Sequence, residues 1–172
     1  MMMTRSRTDM TRRGVTLIDL MMTITIIIVA GVLVTPKLSN DTQLRLVAAA
    51  GLVTSDIELA QVMTISHPAD PVVVSFDPPN DRYWLAYADD PSVPIPRPGN
   101  GRPYLVTFGQ DRARSAVGVS LSLTDVTGNV LGFDAQGGVA DISAQPVIRL
   151  LLDSSFIDLR IASTTGTITQ VQ

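Results

Sequence analysis

Nucleophilic and metal chemistry draw on thiols, imidazoles or grouped carboxylates, and this chain is poor in the first two. Its 172 residues contain no cysteine and a single histidine, His67. That excludes disulfide frameworks, thiol nucleophiles, cysteine zinc sites and multi-histidine metal sites. His67 stands beside Pro68 at a predicted helix end and no G-x-S-x-G elbow occurs, so no hydrolase arrangement is expected around it. Carboxylates pair at Asp77 and Asp81 and at Asp89 and Asp90, without the spacing of a calcium loop, and turn capping is their expected role. Arg97, Arg102, Arg112 and Arg114 fall within 18 residues, opposed by Asp111 alone and interleaved with Tyr104 and Phe108. Such a patch offers either phosphate contacts to a nucleic acid or a solvated loop and strand end, and the second reading is adopted. No catalytic residue, metal or cofactor is expected, and the chain is not read as an enzyme.

The remaining chemically notable residue is Asp19, because of where it lies. Residues 1–14, MMMTRSRTDMTRRG, carry four arginines against Asp9. Residues 15–36, VTLIDLMMTITIIIVAGVLVTP, contain no charge except Asp19. As a helix this run spans about 33 Å, the thickness of a bilayer's hydrocarbon core. Each Leu, Ile or Val favours insertion by about 0.3–0.6 kcal/mol, against a cost of about 2.5–3.5 kcal/mol for a central Asp, and Asp19 lies near one end. The arginines ahead place the N-terminus in the cytoplasm and everything after Pro36 on the far side. A carboxylate in such a segment calls for a cationic partner and is a functional candidate by default; the alternative is an interfacial Asp among water and head groups. A cleavable secretory signal would carry its small residues after the apolar run, whereas here Gly14 stands before it.

The junction RRG followed by VTLIDLMMTITIIIVAGVLVTPKL resembles the prepilin-type N-terminal motif of type IV pilins and type II secretion pseudopilins. The resemblance implies that a membrane prepilin peptidase cuts between Gly14 and Val15, after the basic Arg12 and Arg13, and that Val15 is then N-methylated. It further implies that Asp19, in the family's glutamate position, pairs with the Val15 amine of a neighbouring subunit during filament assembly, and that Pro36 kinks the stem. Val15 in place of Phe and Asp19 in place of Glu depart from the usual pattern, and the shorter carboxylate has less reach. Met10 offers a second start that keeps Arg12, Arg13 and Gly14.

These residues have to be positioned by the rest of the chain. From 37 to 67 the apolar residues Leu46, Ala50, Val53, Ile57, Ala60 and Thr64 recur at helical spacing, with Lys37, Asp41, Arg45, Asp56 and Glu58 assigned off the stripe. Residues 15–66 are expected to form one kinked helix, the first half transmembrane and the second amphipathic. After residue 68 the signals are β. Strands are expected over 71–76 and 82–87 as a hairpin, then over 104–108, 117–123, 130–133, 147–152, 157–161 and 167–171. Residues 89–103, with five prolines, are expected to be a loop without regular structure. Tyr83, Trp84 and Tyr87 are read as hairpin core and face residues.

The expected fold is therefore α+β: a basic leader (1–14), a transmembrane or filament-core helix (15–36), its amphipathic continuation (37–67) and a β-rich, sandwich-like head (68–172), pilin-like in plan. The strand order, with the turns at 133–138 and 163–166, is similar to H-type minor pseudopilins and FimT-like minor pilins. The resemblance implies a minor pseudopilin of a type II secretion pseudopilus, a structural part of protein export across the outer membrane. Its implied partners are prepilin peptidase, other pilin-like subunits, an inner-membrane assembly platform and membrane lipid. Ala30, Gly31, Thr23 and Thr25 would allow close stem packing. A type IV pilus minor pilin for adhesion or DNA uptake, and an uncleaved signal-anchored β-domain, are the alternatives. Removing the leader leaves 9 basic against 15 acidic side chains, a net charge of −6 that disfavours nucleic acid as a partner.

Overall fold

The computed structural model describes residues 16–34 and 40–172. Arg12, Arg13, Gly14, Val15 and Pro36 lie outside the described residues, as does the join that would make 15–66 one helix. The chain divides into two compact units, Met1–Leu38 and Ser39–Gln172.

In the first unit, α1 (Leu17–Val34) has 18 residues, about 27 Å of helix. The ten large apolar side chains between Leu17 and Val29 are all exposed. Its hydroxyls turn inward on the helix itself: Thr23 Oγ1 donates to the Asp19 carbonyl at 2.7 Å and Thr25 Oγ1 to the Met21 carbonyl at 2.8 Å. The helix therefore presents hydrocarbon with its polar groups internally satisfied.

The second unit is built on α2 (Asn40–Ser66). Leu46, Ala50, Val53, Ile57, Ala60 and Thr64 are all buried, joined by Ala49 and Asp56. By length and composition Asp41–Ser66 is apolar enough to cross a membrane. Its apolar stripe, however, is the spine of this unit's core and packs on strands of both sheets described below. The helix stops where His67 N–H still reaches the Met63 carbonyl at 2.9 Å and Pro68 cannot continue the ladder.

Two antiparallel sheets share that core. The first comprises β1 (Val72–Asp77), β2 (Arg82–Tyr87), β3 (Asp90–Pro94), β4 (Leu105–Thr107) and β6 (Val130–Leu131), with β1 between β2 and β6 and with β3 and β4 both on β2. The second runs β5 (Ser120–Thr124), β7 (Val147–Leu152), β8 (Ser155–Ile161), β9 (Ile168–Val171) in the order β5-β7-β8-β9. The hairpin pairs Val72 with Tyr87 through Asp77 with Arg82, and β1 is buried from Val72 to Phe76.

Residues 89–103 correct the expectation of a structureless loop. β3 pairs with β2 through Ala86 with Pro94 and Tyr87 with Asp90, across a bulge. Prolines lack only the amide donor, so they are tolerated on an edge strand and their carbonyls still accept. The Pro91 carbonyl takes hydrogen bonds from Ser75 Oγ at 2.7 Å and Trp84 Nε1 at 2.8 Å. The strand expected from 117 begins instead at Ser120, because Asp111–Ala116 forms a 3-10 segment and Gly118 turns at φ +80°.

Candidate functional site

Asp19 sits in the first turn of α1. Its amide donates to the Thr16 carbonyl at 3.0 Å, and the Thr16 hydroxyl donates to its carboxylate at 3.1 Å. The carboxylate thus lies at the positive end of the helix dipole, held by one weakly bonded hydroxyl and exposed to an incoming cation. It is the one ionisable side chain among the described residues of α1.

The basic patch proves to be divided. Arg112 and Arg114 lie on the 3-10 segment, and Arg97 and Arg102 in the connection from β3 to β4. Arg112 turns inward: its Nη2 lies 2.8 Å from Asp56 Oδ1 and its Nη1 donates to the Tyr104 hydroxyl at 2.9 Å. Arg97 lies over the Tyr104 ring, 5.0 Å from its centroid. Arg114 lines a groove with Leu44, Ala48 and Val117, while Arg102 is exposed. Arg112 is therefore not a free phosphate contact, a correction to its place in the patch.

Asp56 is the residue that the helical pattern misassigned. It is 1% exposed and accepts from three donors, the Tyr83 hydroxyl at 2.7 Å, the Tyr104 hydroxyl at 2.9 Å and Arg112. The signal was its spacing, three residues after Val53 and four before Ala60, which places it inside the buried stripe. Burial pushes the Tyr83 hydroxyl pKa well above its ordinary value, and the neighbouring carboxylate adds to the shift. With both carboxylate oxygens occupied by donors, the cluster pins α2, β2, the β4 approach and the 3-10 segment together. It has no free base to offer a substrate.

Gln61, also unremarked in the sequence, joins the two turns that carried the second resemblance. Its side-chain amide donates to the carbonyls of Gly137 and of Thr165, the latter at 3.2 Å. The Val139 amide donates to the Ser163 carbonyl at 2.7 Å, so the turns at 133–138 and 163–166 meet on one side of α2. Gly166 has φ +65°, and a Cβ there would collide with the Gly137 carbonyl and the Gln61 amide. No L side chain fits that contact.

The acidic pairs have local tasks. Asp77 accepts from Asn80 and from Arg82, and these bonds, the first above all, hold its carboxyl below the usual range. Asp81, at φ 47°, accepts the Leu121 amide at 3.0 Å, and Asp90 accepts from Ser92. Among the described residues no group of three or more His, Asp or Glu side chains is arranged to hold a metal. His67 is exposed at the end of α2.

Compared with protein-family models, curated proteins and solved structures, the chain matches none.

Proposed function

We propose that the chain is a pilin-like subunit, made as a prepilin and built as a minor pseudopilin into a type II secretion pseudopilus. One observation carries this reading: a helix with ten large apolar side chains exposed and a single carboxylate in its first turn follows a basic leader ending in Arg12-Arg13-Gly14. Of the two helices, α1 is the membrane segment, since the apolar stripe of α2 is already spent on the head. The subunit is then single-pass in the inner membrane, with its N-terminus cytoplasmic and its head periplasmic.

The work of such a subunit is mechanical. Prepilin peptidase releases Val15, and α1 moves from lipid into a fibre of similar helices. The exposed Asp19 carboxylate exchanges the Thr16 hydroxyl for the Val15 amine of a neighbouring subunit, a charge-assisted bond in a medium of low dielectric. The head faces outward and contacts neighbouring subunits or cargo. The test is Asp19→Ala beside Asp19→Glu in the producing cell. Asp19→Ala is expected to be inserted and processed but lost from sheared or cross-linked fibre fractions, with Asp19→Glu retained. Incorporation of Asp19→Ala at the level of the unaltered chain removes the proposed role of the carboxylate.

A further inference from the structure

Large apolar side chains grouped in water mark a surface that something else covers. On the head several of them surround the first turns of α2. Leu44 and Val47 on the helix and Val117, just after the 3-10 segment, are all exposed. On the other flank of the same turns Phe156 is exposed and lines a cleft with Thr42 and Gln43. Val62 and Ile65 are exposed as well, but near the far end of α2, at least about 27 Å along the helix from Leu44.

Leu44, Ala48 and Val117 line a groove of about 450 Å³ between α2 and the 3-10 segment. Two of its charged residues are committed to each other: Arg45 Nη2 lies 2.5 Å from Asp41 Oδ2, and Arg45 Nη1 donates to the Val117 carbonyl at 3.4 Å. Arg114 is exposed on the side of the 3-10 segment and has no ion pair among the described residues. Asp111, the acid closest to it in sequence, does not line the groove. The groove therefore offers hydrocarbon beside one uncommitted guanidinium. That combination suits an amphiphile whose anionic group adjoins an apolar chain.

The occupant follows from where the chain enters the head. Residues 35–39 are all that separates Val34, the last residue of α1, from Asn40, the first of α2. A stretch of that length spans at most about 21 Å. With α1 in the bilayer, the first turns of α2 are thus kept within reach of the lipid head groups by the covalent chain alone. We propose that this groove receives a membrane phospholipid, with its phosphate on Arg114 and its glycerol and first methylenes along Leu44, Ala48 and Val117. One arginine and three small apolar contacts bind weakly in free solution, but the tether supplies the effective concentration that populates the contact. The inference rests on α1 being the membrane segment, and on neither leader cleavage nor fibre assembly.

The natural absence of cysteine makes a site-specific label direct. Full-length chain carries an environment-sensitive fluorophore on Val47→Cys, beside the groove but not lining it, or on Ser66→Cys at the far end of α2. It is reconstituted into vesicles of phosphatidylcholine and phosphatidylglycerol that contain a nitroxide-head-group lipid as quencher. Quenching at Val47→Cys is expected to exceed that at Ser66→Cys and to fall about five-fold when Arg114→Gln is added. Leu44→Gln should lower it as well. Both added changes fall on exposed side chains, so thermal unfolding should be unaltered. Quenching at Val47→Cys that neither Arg114→Gln nor Leu44→Gln reduces belongs to a tethered head with an empty groove and overturns the proposal. Flotation with the vesicles after alkaline carbonate extraction is measured on the same samples. A chain that fails to float overturns the membrane reading of α1 and this inference with it, whereas a chain that floats without the loss overturns this inference alone.

Discussion

Arg112 reaches 56 residues back along the chain to place its Nη2 2.8 Å from Asp56 Oδ1, tying an exposed 3-10 segment to the buried face of α2. The pair is asymmetric, with the Asp56 side chain 1% exposed and Arg112 31%. A buried carboxylate is tolerable only when its oxygens are filled, and here two tyrosine hydroxyls complete the set. Removal of the carboxylate strands three donors, whereas removal of the arginine leaves two of them in place.

Asp56→Ala is therefore expected to destabilise the head by about 3–5 kcal/mol. Arg112→Ala should cost less, about 1–3 kcal/mol. Asp56→Asn should fall between them, since one acceptor oxygen survives. Urea unfolding followed through Trp84 fluorescence measures all three. Equal losses for Asp56→Ala and Arg112→Ala would show that the two tyrosine hydroxyls alone do not hold the buried carboxylate.

Alkaline pH should probe the same cluster. Tyr83 has a pKa raised by burial first and by Asp56 second. The folded state therefore holds this proton more tightly than the unfolded chain, whose tyrosines titrate at about 10. The stabilisation is fully present below about pH 10 and is lost as pH rises toward the higher folded value. Unfolding free energy should fall as pH rises above about 10, and Tyr83→Phe should flatten that decline. A wild-type profile flat over this range would contradict the buried contact.

Gly166 tests the junction of the two turns. Gly166→Ala meets both an unfavourable φ of +65° and the Gly137 carbonyl. A loss of about 2–5 kcal/mol is expected. Gly128→Ala, at φ +63° but facing open space, should lose only about 1–2 kcal/mol. Thermal unfolding of the two variants side by side gives the comparison, and equal losses would mean that the turns do not need their close contact.

Much of this head was legible in the residue pattern. The stripe from Leu46 to Thr64 is buried as its spacing required, and the hairpin of β1 and β2 lies where 71–76 and 82–87 placed it. β3 is not legible in the sequence, because its prolines read as breakers although proline removes only a donor. Asp56 lies within the stripe by position, and its charge hides that it is buried. What fills its oxygens, Tyr83 and Tyr104 from the strands, is long-range pairing that no local period encodes. The junction of the turns at 133–138 and 163–166 through Gln61 is of the same kind. The fragments suggesting a polar site at 97–114 were a composition signal, and composition does not say which arginine turns inward.

At the other end of the chain, intact mass with N-terminal peptide mapping of protein from its native membrane tests most directly whether the leader is removed. A mature chain beginning at N-methylated Val15, with the full-length form accumulating in Gly14→Glu, is the predicted result. A chain that retains Arg12-Arg13-Gly14 in the unaltered protein would contradict the prepilin account and leave a membrane-anchored β-domain in its place.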